Sequence, residues 1–166
     1  MKMDDILSIN DPKVKLSISL GERGEALAAE YLIKNGYRIV LANFKVPVGR
    51  NSKGVSVTGE IDIIALDGET LCFIEVKTRR SDEFTPIITN VDTLKQRQIT
   101  RTAKVYRRIF GVWDMEYRFD VVTVLMPKHA VPEIGLTKTF WSESKFRKQT
   151  WSREGWKEFF EPKQTR

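Results

Sequence analysis

The stretch GEIDIIALDGETLCFIEVK, residues 59–77, decides the fold of this chain. Two apolar runs flank Asp67-Gly68, a dipeptide that favours a tight turn, and together they predict a β-hairpin. Side chains alternate between the two faces of a strand. Asp62, Glu75 and Lys77 are therefore expected on the same face of this hairpin.

The length of the turn sets which acidic residues face each other across the hairpin. A loop of Asp67-Gly68 alone would place Glu75 opposite Glu60. A loop spanning Asp67–Thr70 would place Glu75 opposite Asp62. Directly opposed residues have Cβ atoms about 4.5–5.5 Å apart. Both registers keep the carboxylates close together.

The opposite face of the hairpin has only apolar or small side chains and is predicted to be core: Ile61, Ile63, Ala65, Cys72, Ile74 and Val76.

Carboxylates that face each other across the hairpin at such distances repel, and one would have a raised pKa unless a cation relieves the repulsion. A divalent metal ion would supply that positive charge. The alternative is a solvated face with a surface salt bridge between Glu75 and Lys77.

An amphipathic helix is predicted over Leu20–Asn35, ended by Gly36. Glu25 lies near the centre of its apolar arc, where a carboxylate without a partner is costly. A helix packed on the sheet would point Glu25 towards the hairpin carboxylates. Alternatively, Glu25 interacts with the helix dipole in the first turn and reaches solvent.

A second helix is predicted over Asp92–Phe110. One face is basic: Arg97, Arg101, Lys104, Arg107 and Arg108. The other is apolar: Val91, Leu94, Ile99, Val105, Tyr106, Ile109 and Phe110. Lys95 and Gln98 lie on the apolar side, where they either contact a phosphate or belong to a hydrated helix start. The basic face fits either a phosphate backbone or ordinary solvent.

The remaining elements complete an α/β order. Strands are predicted at Tyr37–Phe44 and Tyr117–Leu125, and a loop at Lys45–Thr58 could close over a nucleic-acid strand. The order α-β-β-β-α-β suggests a mixed β-sheet flanked by helices. The residues expected to contact nucleic acid are Lys95, Gln98, Arg79, Arg97, Arg101, Lys53 and Arg50.

Composition narrows the class of protein. The 166 residues suggest one core domain, and the net charge of +6 suggests an anionic partner, most commonly nucleic acid. The single cysteine and the single histidine, His129, exclude multi-cysteine and histidine-pair metal sites, so carboxylates would hold magnesium or manganese. No apolar run approaches the roughly 18 residues of a membrane span. Without an export signal, we expect a cytoplasmic protein with no membrane partner.

The chain is expected to have three parts. Residues 1–19 form an N-terminal arm, 20–130 a core domain, and 131–166 a basic, aromatic extension packed on that core. The extension is predicted to hold a strand at Ile134–Trp141 and a helix at Trp151–Phe160. Alternatively, its aromatic and basic residues stack bases and neutralise phosphates.

The chain is predicted to carry Glu25 on a helix, Asp62 on a strand and Glu75-Val76-Lys77 on the next strand. This pattern resembles the PD-(D/E)xK nuclease superfamily. Over residues 20–126 the chain more closely resembles the YraN-like family of uncharacterised bacterial proteins, predicted relatives of archaeal Holliday junction resolvases. The segments that carry this likeness are Gly21-x-x-Gly24-Glu25-x-x-Ala28, Gly36-Tyr37, Gly59-Glu60-Ile61-Asp62, Phe73-Ile74-Glu75-Val76-Lys77-Thr78-Arg79, Lys95 and Arg118-Phe119-Asp120-Val121. The loop 45–58 and the tail beyond residue 130 look like departures from the family pattern.

This resemblance implies a restriction-endonuclease-like core and metal-dependent cleavage of phosphodiester bonds, in DNA, branched DNA included, in preference to structured RNA. Asp62, Glu75 and the Val76 carbonyl would bind Mg²⁺ or Mn²⁺. Glu25 would complete the site directly, through water or through a second ion, and Lys77 would orient water or phosphate. Related resolvases act as dimers, which makes a homodimer an expectation. The alternatives are a non-catalytic nucleic-acid-binding module with the nuclease fold, or a protein-interaction domain that uses the aromatic tail.

Overall fold

The computed structural model describes residues 19–50, 53–80 and 91–146. Its elements are α1 (Leu20–Lys34), β1 (Arg38–Arg50), β2 (Ser56–Asp67), β3 (Thr70–Arg79), α2 (Thr93–Ile109), β4 (Tyr117–Leu125), β5 (Glu133–Trp141) and a 3-10 helix at Glu143–Phe146. The strands form one mixed sheet in the order β1-β2-β3-β4-β5. The predicted α/β order α-β-β-β-α-β is confirmed, and the strand β5 follows it.

The two helices cover opposite faces of the sheet. Strands β3 and β4 are parallel and the other neighbours are antiparallel, so α2 forms the crossover that a parallel pair requires. One buried cluster joins α1 to the sheet through Ala28, Leu32, Ile63, Ile74 and Val122. The other joins α2 through Ile99, Tyr106, Phe73, Phe119 and Val121. Neither described helix combines the length and apolar character needed to cross a membrane.

The segment Lys45–Thr58 is not the loop that we predicted. β1 continues to Arg50 and pairs with β2 along most of this segment, and a 3.0 Å salt bridge joins Lys45 to Glu60 across the pair. Pro47 is tolerated because β1 is an edge strand and its register shifts beside this residue. Cross-strand pairing therefore outweighs the local turn signals of the segment.

The strand predicted at Ile134–Trp141 is present as β5, which pairs with β4. Trp141 is buried and stacks on Phe119 with ring centroids 4.8 Å apart. Its indole N–H donates a hydrogen bond to Thr100 Oγ1 at 3.0 Å. This aromatic residue of the extension therefore packs on the core. The helix predicted at Trp151–Phe160 and most of the N-terminal arm lie outside the described residues.

Helix α1 begins with a capping box and then approaches β3 closely. Ser19 Oγ accepts a hydrogen bond from the Glu22 backbone N–H, and Glu22 Oε2 accepts one from the Ser19 N–H. A Cβ at Gly24 would lie 1.7 Å from Thr78 Oγ1. Only glycine allows this separation, which brings the neighbouring Glu25 to the sheet.

We expect Gly24→Ala to lower the free energy of unfolding by about 1–3 kcal/mol, because the added methyl group forces α1 away from Thr78. Gly21→Ala is the matched control on the same helix. There the nearest atom to the added Cβ is Ser19 Oγ at 3.9 Å, and alanine favours the helix by up to about 1 kcal/mol. Urea denaturation of both variants measures the difference, and equal effects would contradict the close contact.

A network of charges holds the turn of the hairpin against β4 and β5. Arg118 Nη2 lies 2.6 Å from Asp67 Oδ2, and Arg118 Nε lies 2.9 Å from Asp120 Oδ2. From β5, Lys138 Nζ lies 2.8 Å from the same Asp67 oxygen. Hydrogen bonds from Lys138 and Arg118 lower the pKa of Asp67 to about 2. The folded state therefore favours the ionised form of Asp67.

Asp67→Asn should lower the melting temperature at pH 7, because the ion pairs to Asp67 exist only in the folded state. A lowered folded-state pKa gives stability that is present above the unfolded pKa and is lost as pH falls through the folded pKa. The difference from wild type should therefore shrink as pH falls from 3.8 to about 2. Glu69→Gln in the same turn is the control, and a difference that does not depend on pH would refute the assignment.

Candidate active site

The backbone pairing of β2 with β3 ends next to the acidic residues. The last pair is Ile63 opposite Ile74, which is the register predicted for the loop Asp67–Thr70, although Asp67 and Thr70 themselves pair and the turn is Gly68-Glu69. One residue further, the same register sets Asp62 opposite Glu75. Here Asp62 Oδ2 accepts a hydrogen bond from the Val76 backbone N–H at 2.7 Å. The Asp62 carboxylate therefore lies in the gap between the two strands.

The regular alternation of β2 is interrupted at Asp62. Ile61 packs with Ile64 on the α2 face, so our prediction that Ile61 shares a face with Ile63 is wrong. That prediction assumed strict alternation along the strand. On the neighbouring β1, Asn43 has a φ of 54°, in the left-handed region, between the residue pairs that flank Asp62. Asp62 consequently lies between the faces instead of simply sharing one with Glu75.

A cavity of about 250 Å³ separates α1 from β1 and β2 beside Asp62. Its lining residues are Glu22, Glu25, Ala26, Ala29, Ala42, Asn43, Asp62 and Ile63. Glu25 is half-buried, and α1 brings it to the same cavity as Asp62. Within residues 19–50, 53–80 and 91–146, no three Asp, Glu, His or Cys side chains converge tightly enough to form a metal cluster.

Glu75 is the most buried carboxylate of the site, with 2% of its side chain exposed. Lys77 Nζ donates a hydrogen bond to Glu75 Oε1 at 2.8 Å, and Lys95 Nζ lies 3.1 Å from Oε2. The contact of Oε2 with Lys95 is an ion pair, so each oxygen of Glu75 faces one lysine. The salt bridge between Glu75 and Lys77 is therefore present, but it is not on a solvated face.

The charges of the site depend on one another. Burial raises the pKa of Asp62 to about 7, with a further contribution from Glu75 and a smaller one from Glu25, against the hydrogen bond from Val76. Burial lowers the pKa of Lys95, but the nearby carboxylates of Glu75 and Asp62 raise it by more, so the pKa of Lys95 is raised overall. Burial and the neighbouring carboxylates thus favour the protonated form of Asp62 more than in an exposed aspartate.

Four of the residues predicted to contact nucleic acid line one cleft at the start of α2: Lys95, Arg97, Gln98 and Arg101. The other three lie elsewhere. Arg50 Nη1 donates a hydrogen bond to the Gly54 carbonyl oxygen at 2.7 Å within the β1–β2 hairpin, and the exposed Lys53 lies close by in sequence. Arg79 ends β3, where its carbonyl oxygen accepts a hydrogen bond from the Met126 N–H.

Several residues of α2 lie where the helix pattern did not predict them. Arg107 is buried instead of joining the basic face, and its guanidinium carbon lies 4.0 Å from the Tyr117 ring centroid. It also donates a hydrogen bond to the Trp113 carbonyl oxygen. Leu94, Ile109 and Phe110, assigned to the apolar face, are 74%, 57% and 53% exposed.

Asn43 is a residue of the site that the sequence pattern did not indicate. Its left-handed backbone, its place opposite Asp62 and its position in the cavity wall make it part of the site. Asparagine adopts this conformation more readily than most residues, and such outliers cluster at functional sites. The stretch from Ala42 to Phe44 carries no turn signal, so the sequence alone gave no reason to single it out.

These features define an α/β domain, with a five-stranded mixed sheet and two helices, that contains a buried site of carboxylates and lysines. The chain belongs to the Uncharacterised protein family UPF0102, the YraN-like family, whose sequence profile matches residues 24–124. The family resemblance expected from the sequence motifs is therefore confirmed.

Relatives and one solved structure were compared with this chain. The UPF0102 protein of Geotalea uraniireducens (strain Rf4) is 45% identical over 116 residues, which are 70% of this chain and 84% of the relative. The UPF0102 protein of Chlorobium limicola is 46% identical over 107 residues, which are 64% of this chain and 75% of the relative. The crystal structure of SSO0001 is 18% identical with a TM-score of 0.34, and the match covers 76% of this chain and 54% of that one.

We expect Lys95→Met to lower the free energy of unfolding by about 1–3 kcal/mol, because it leaves the buried Glu75 with one cationic partner. Lys45→Met is the matched control. Its partner Glu60 is 38% exposed, against 2% for Glu75, so the control should cost less than about 1 kcal/mol. Adding Glu75→Gln to Lys95→Met should recover part of the loss in chemical denaturation. No recovery would mean that Lys95 acts through packing alone.

Proposed function

We propose that this protein is a Mg²⁺- or Mn²⁺-dependent endonuclease that hydrolyses phosphodiester bonds, in DNA in preference to RNA. The observation that carries the proposal is the burial of Glu75 beside Asp62, with Lys77 and Lys95 at its two oxygens. Burying this many charges costs stability, and structural packing alone does not require it. Buried carboxyl groups with a strongly raised pKa, such as Asp62, are common at catalytic sites.

The donor set suits a hard divalent cation. Asp62 and Glu75 offer carboxylate oxygens, and the Val76 carbonyl adds a further oxygen ligand of the kind that magnesium and manganese prefer. Glu75 Oε2 is buried beside Lys95, and the raised pKa of Asp62 reflects its burial and the neighbouring Glu75 carboxylate, so that a bound cation would favour its ionised form. Magnesium commonly uses one or two carboxylates and keeps water, so two carboxylates suffice. Glu25 would complete the site directly, through water or through a second ion.

Each side chain has a role in the proposed reaction. A bound cation supplies positive charge for the scissile phosphate and lowers the pKa of an attacking water. Asp62 and Glu75 would hold that cation. Lys77, with 28% of its side chain exposed, reaches solvent from Glu75 and would orient the water or the phosphate. Lys95 and Gln98 would bind the substrate backbone.

A second function is a nucleic-acid-binding module that retains the nuclease fold without cleavage. One observation favours it. Lys77 and Lys95 already bring two positive charges to Glu75, so this carboxylate is neutralised without a metal ion. The basic residues of α2 would then bind phosphates while the carboxylates only support the fold.

Cleavage assays distinguish the two functions. Purified protein is incubated with single-stranded, duplex and branched DNA and with structured RNA, in Mg²⁺, Mn²⁺ or EDTA. We expect cleavage in either metal, and a loss of about 100-fold or more in Asp62→Asn and in Lys77→Ala. The loss is expected because the first variant removes a metal ligand and the second removes the positive charge at the phosphate.

Asp114→Asn is the matched control, since it makes the same chemical change at an exposed position. It should cleave like wild type. Calorimetric titration with Mn²⁺ should give binding to wild type and to Asp114→Asn but not to Asp62→Asn. Binding of nucleic acid without cleavage in any metal would favour the module, and the absence of both binding and cleavage would reject both functions.

A further inference from the structure

A cleft of about 500 Å³ adjoins the carboxylate site between the start of α2 and the outer part of the β1–β2 hairpin. Lys95 belongs to both, because it lines the cleft and its Nζ lies 3.1 Å from Glu75 Oε2. A polymer that occupies the cleft is therefore led directly to the carboxylates. We call this feature the α2 cleft.

The α2 cleft carries positive charge that no carboxylate of the described residues neutralises. Arg97 and Arg101 line it, and neither pairs with a carboxylate anywhere in the described part of the chain. Its acidic lining residue, Asp92, caps α2 by accepting a hydrogen bond from the Lys95 backbone N–H at 2.7 Å. The surplus of arginine and lysine favours a polyanion.

The same cleft has an aliphatic wall. Val48 and Val57 come from the hairpin, and Leu94 from α2 stands 74% exposed to solvent. A protein surface that contacts the backbone of a duplex needs cations and polar groups, because the backbone presents phosphates and sugars. The faces of the bases in a duplex are hidden by stacking. An unpaired nucleotide can place its base against aliphatic side chains while its phosphate contacts arginine.

The walls of the α2 cleft are fixed before any ligand arrives. Gln98 Nε2 donates a hydrogen bond to the Thr58 carbonyl oxygen at 2.8 Å and so ties α2 to β2. At Gly59 an added Cβ would lie 2.0 Å from Thr102 Oγ1, which shows how closely the helix meets the strand. A preformed site loses less entropy when it binds.

We infer that the α2 cleft binds an unpaired strand of DNA and delivers it to the carboxylate site. The substrate class would then be DNA with an unpaired segment next to the cleaved bond, such as a single strand or the single-stranded part of a branch. This inference rests on the proposed function for its catalytic half. The binding half stands on the charge and the aliphatic wall of the cleft.

Fluorescence anisotropy tests the inference without cleavage. The Asp62→Asn chain is titrated in EDTA against a labelled 16-nucleotide DNA single strand and against the duplex of the same sequence. We expect the single strand to bind about tenfold more tightly. Adding Leu94→Ser should weaken binding of the single strand about fivefold to tenfold and leave duplex binding within about twofold, because only unpaired bases reach the aliphatic wall. Arg101→Gln should weaken binding of the single strand and of the duplex, and it should reduce the slope of log K against log salt by about one.

Val131→Ser is the matched control, because Val131 is 81% exposed and lies away from the cleft in the chain. It should change neither affinity. Equal or tighter binding of the duplex, or a Leu94→Ser effect no larger than that of Val131→Ser, would overturn the inference while leaving the proposed nuclease function standing. Failure of wild type and variants to bind either DNA at low salt would overturn both.

Discussion

The buried charge of Glu75 constrains the rest of this structure. An anion that is 2% exposed must have cationic partners, and the chain supplies them from two different elements. Lys77 lies two residues further along the same strand, whereas Lys95 lies at the start of α2. The position of α2 on the sheet is therefore coupled to the charge balance of the carboxylates, and the lysines that would act on a phosphate also stabilise the fold.

Close contacts between helices and strands give the site its shape. Gly24 lets α1 meet β3 at Thr78, and Gly59 lets α2 meet β2 at Thr102. Each glycine lies beside or shortly before an acidic residue, Glu25 in one case and Asp62 in the other. The glycines of both family segments therefore have a physical reason, since a larger side chain would separate the elements that carry the carboxylates.

The extents of three elements were predictable from the sequence. The errors share one cause, which is that contacts with distant segments outweigh local patterns. The extents of α1, α2 and β4 followed from periodicity and capping, which act over a few residues. Most of the loop expected at Lys45–Thr58 is instead strand, in β1 up to Arg50 and in β2 from Ser56, because pairing of the two strands outweighs local turn signals. Ile61 was misassigned because regular alternation was assumed where β2 is interrupted. Arg107 was misassigned because its aromatic partner Tyr117, and not the helix pattern, decides where its side chain lies.

By itself, the sequence determined the α/β class, the order of the elements and the inventory of acidic and basic side chains, since these depend on short-range patterns. The hairpin register stayed open between two loop lengths until the pairing of Ile63 with Ile74 resolved it. Only the tertiary structure decided that Asp62 lies between the strands, that Lys95 reaches Glu75 and that Asn43 adopts a left-handed backbone beside them. These outcomes depend on contacts between distant segments, which spacing along one segment does not encode.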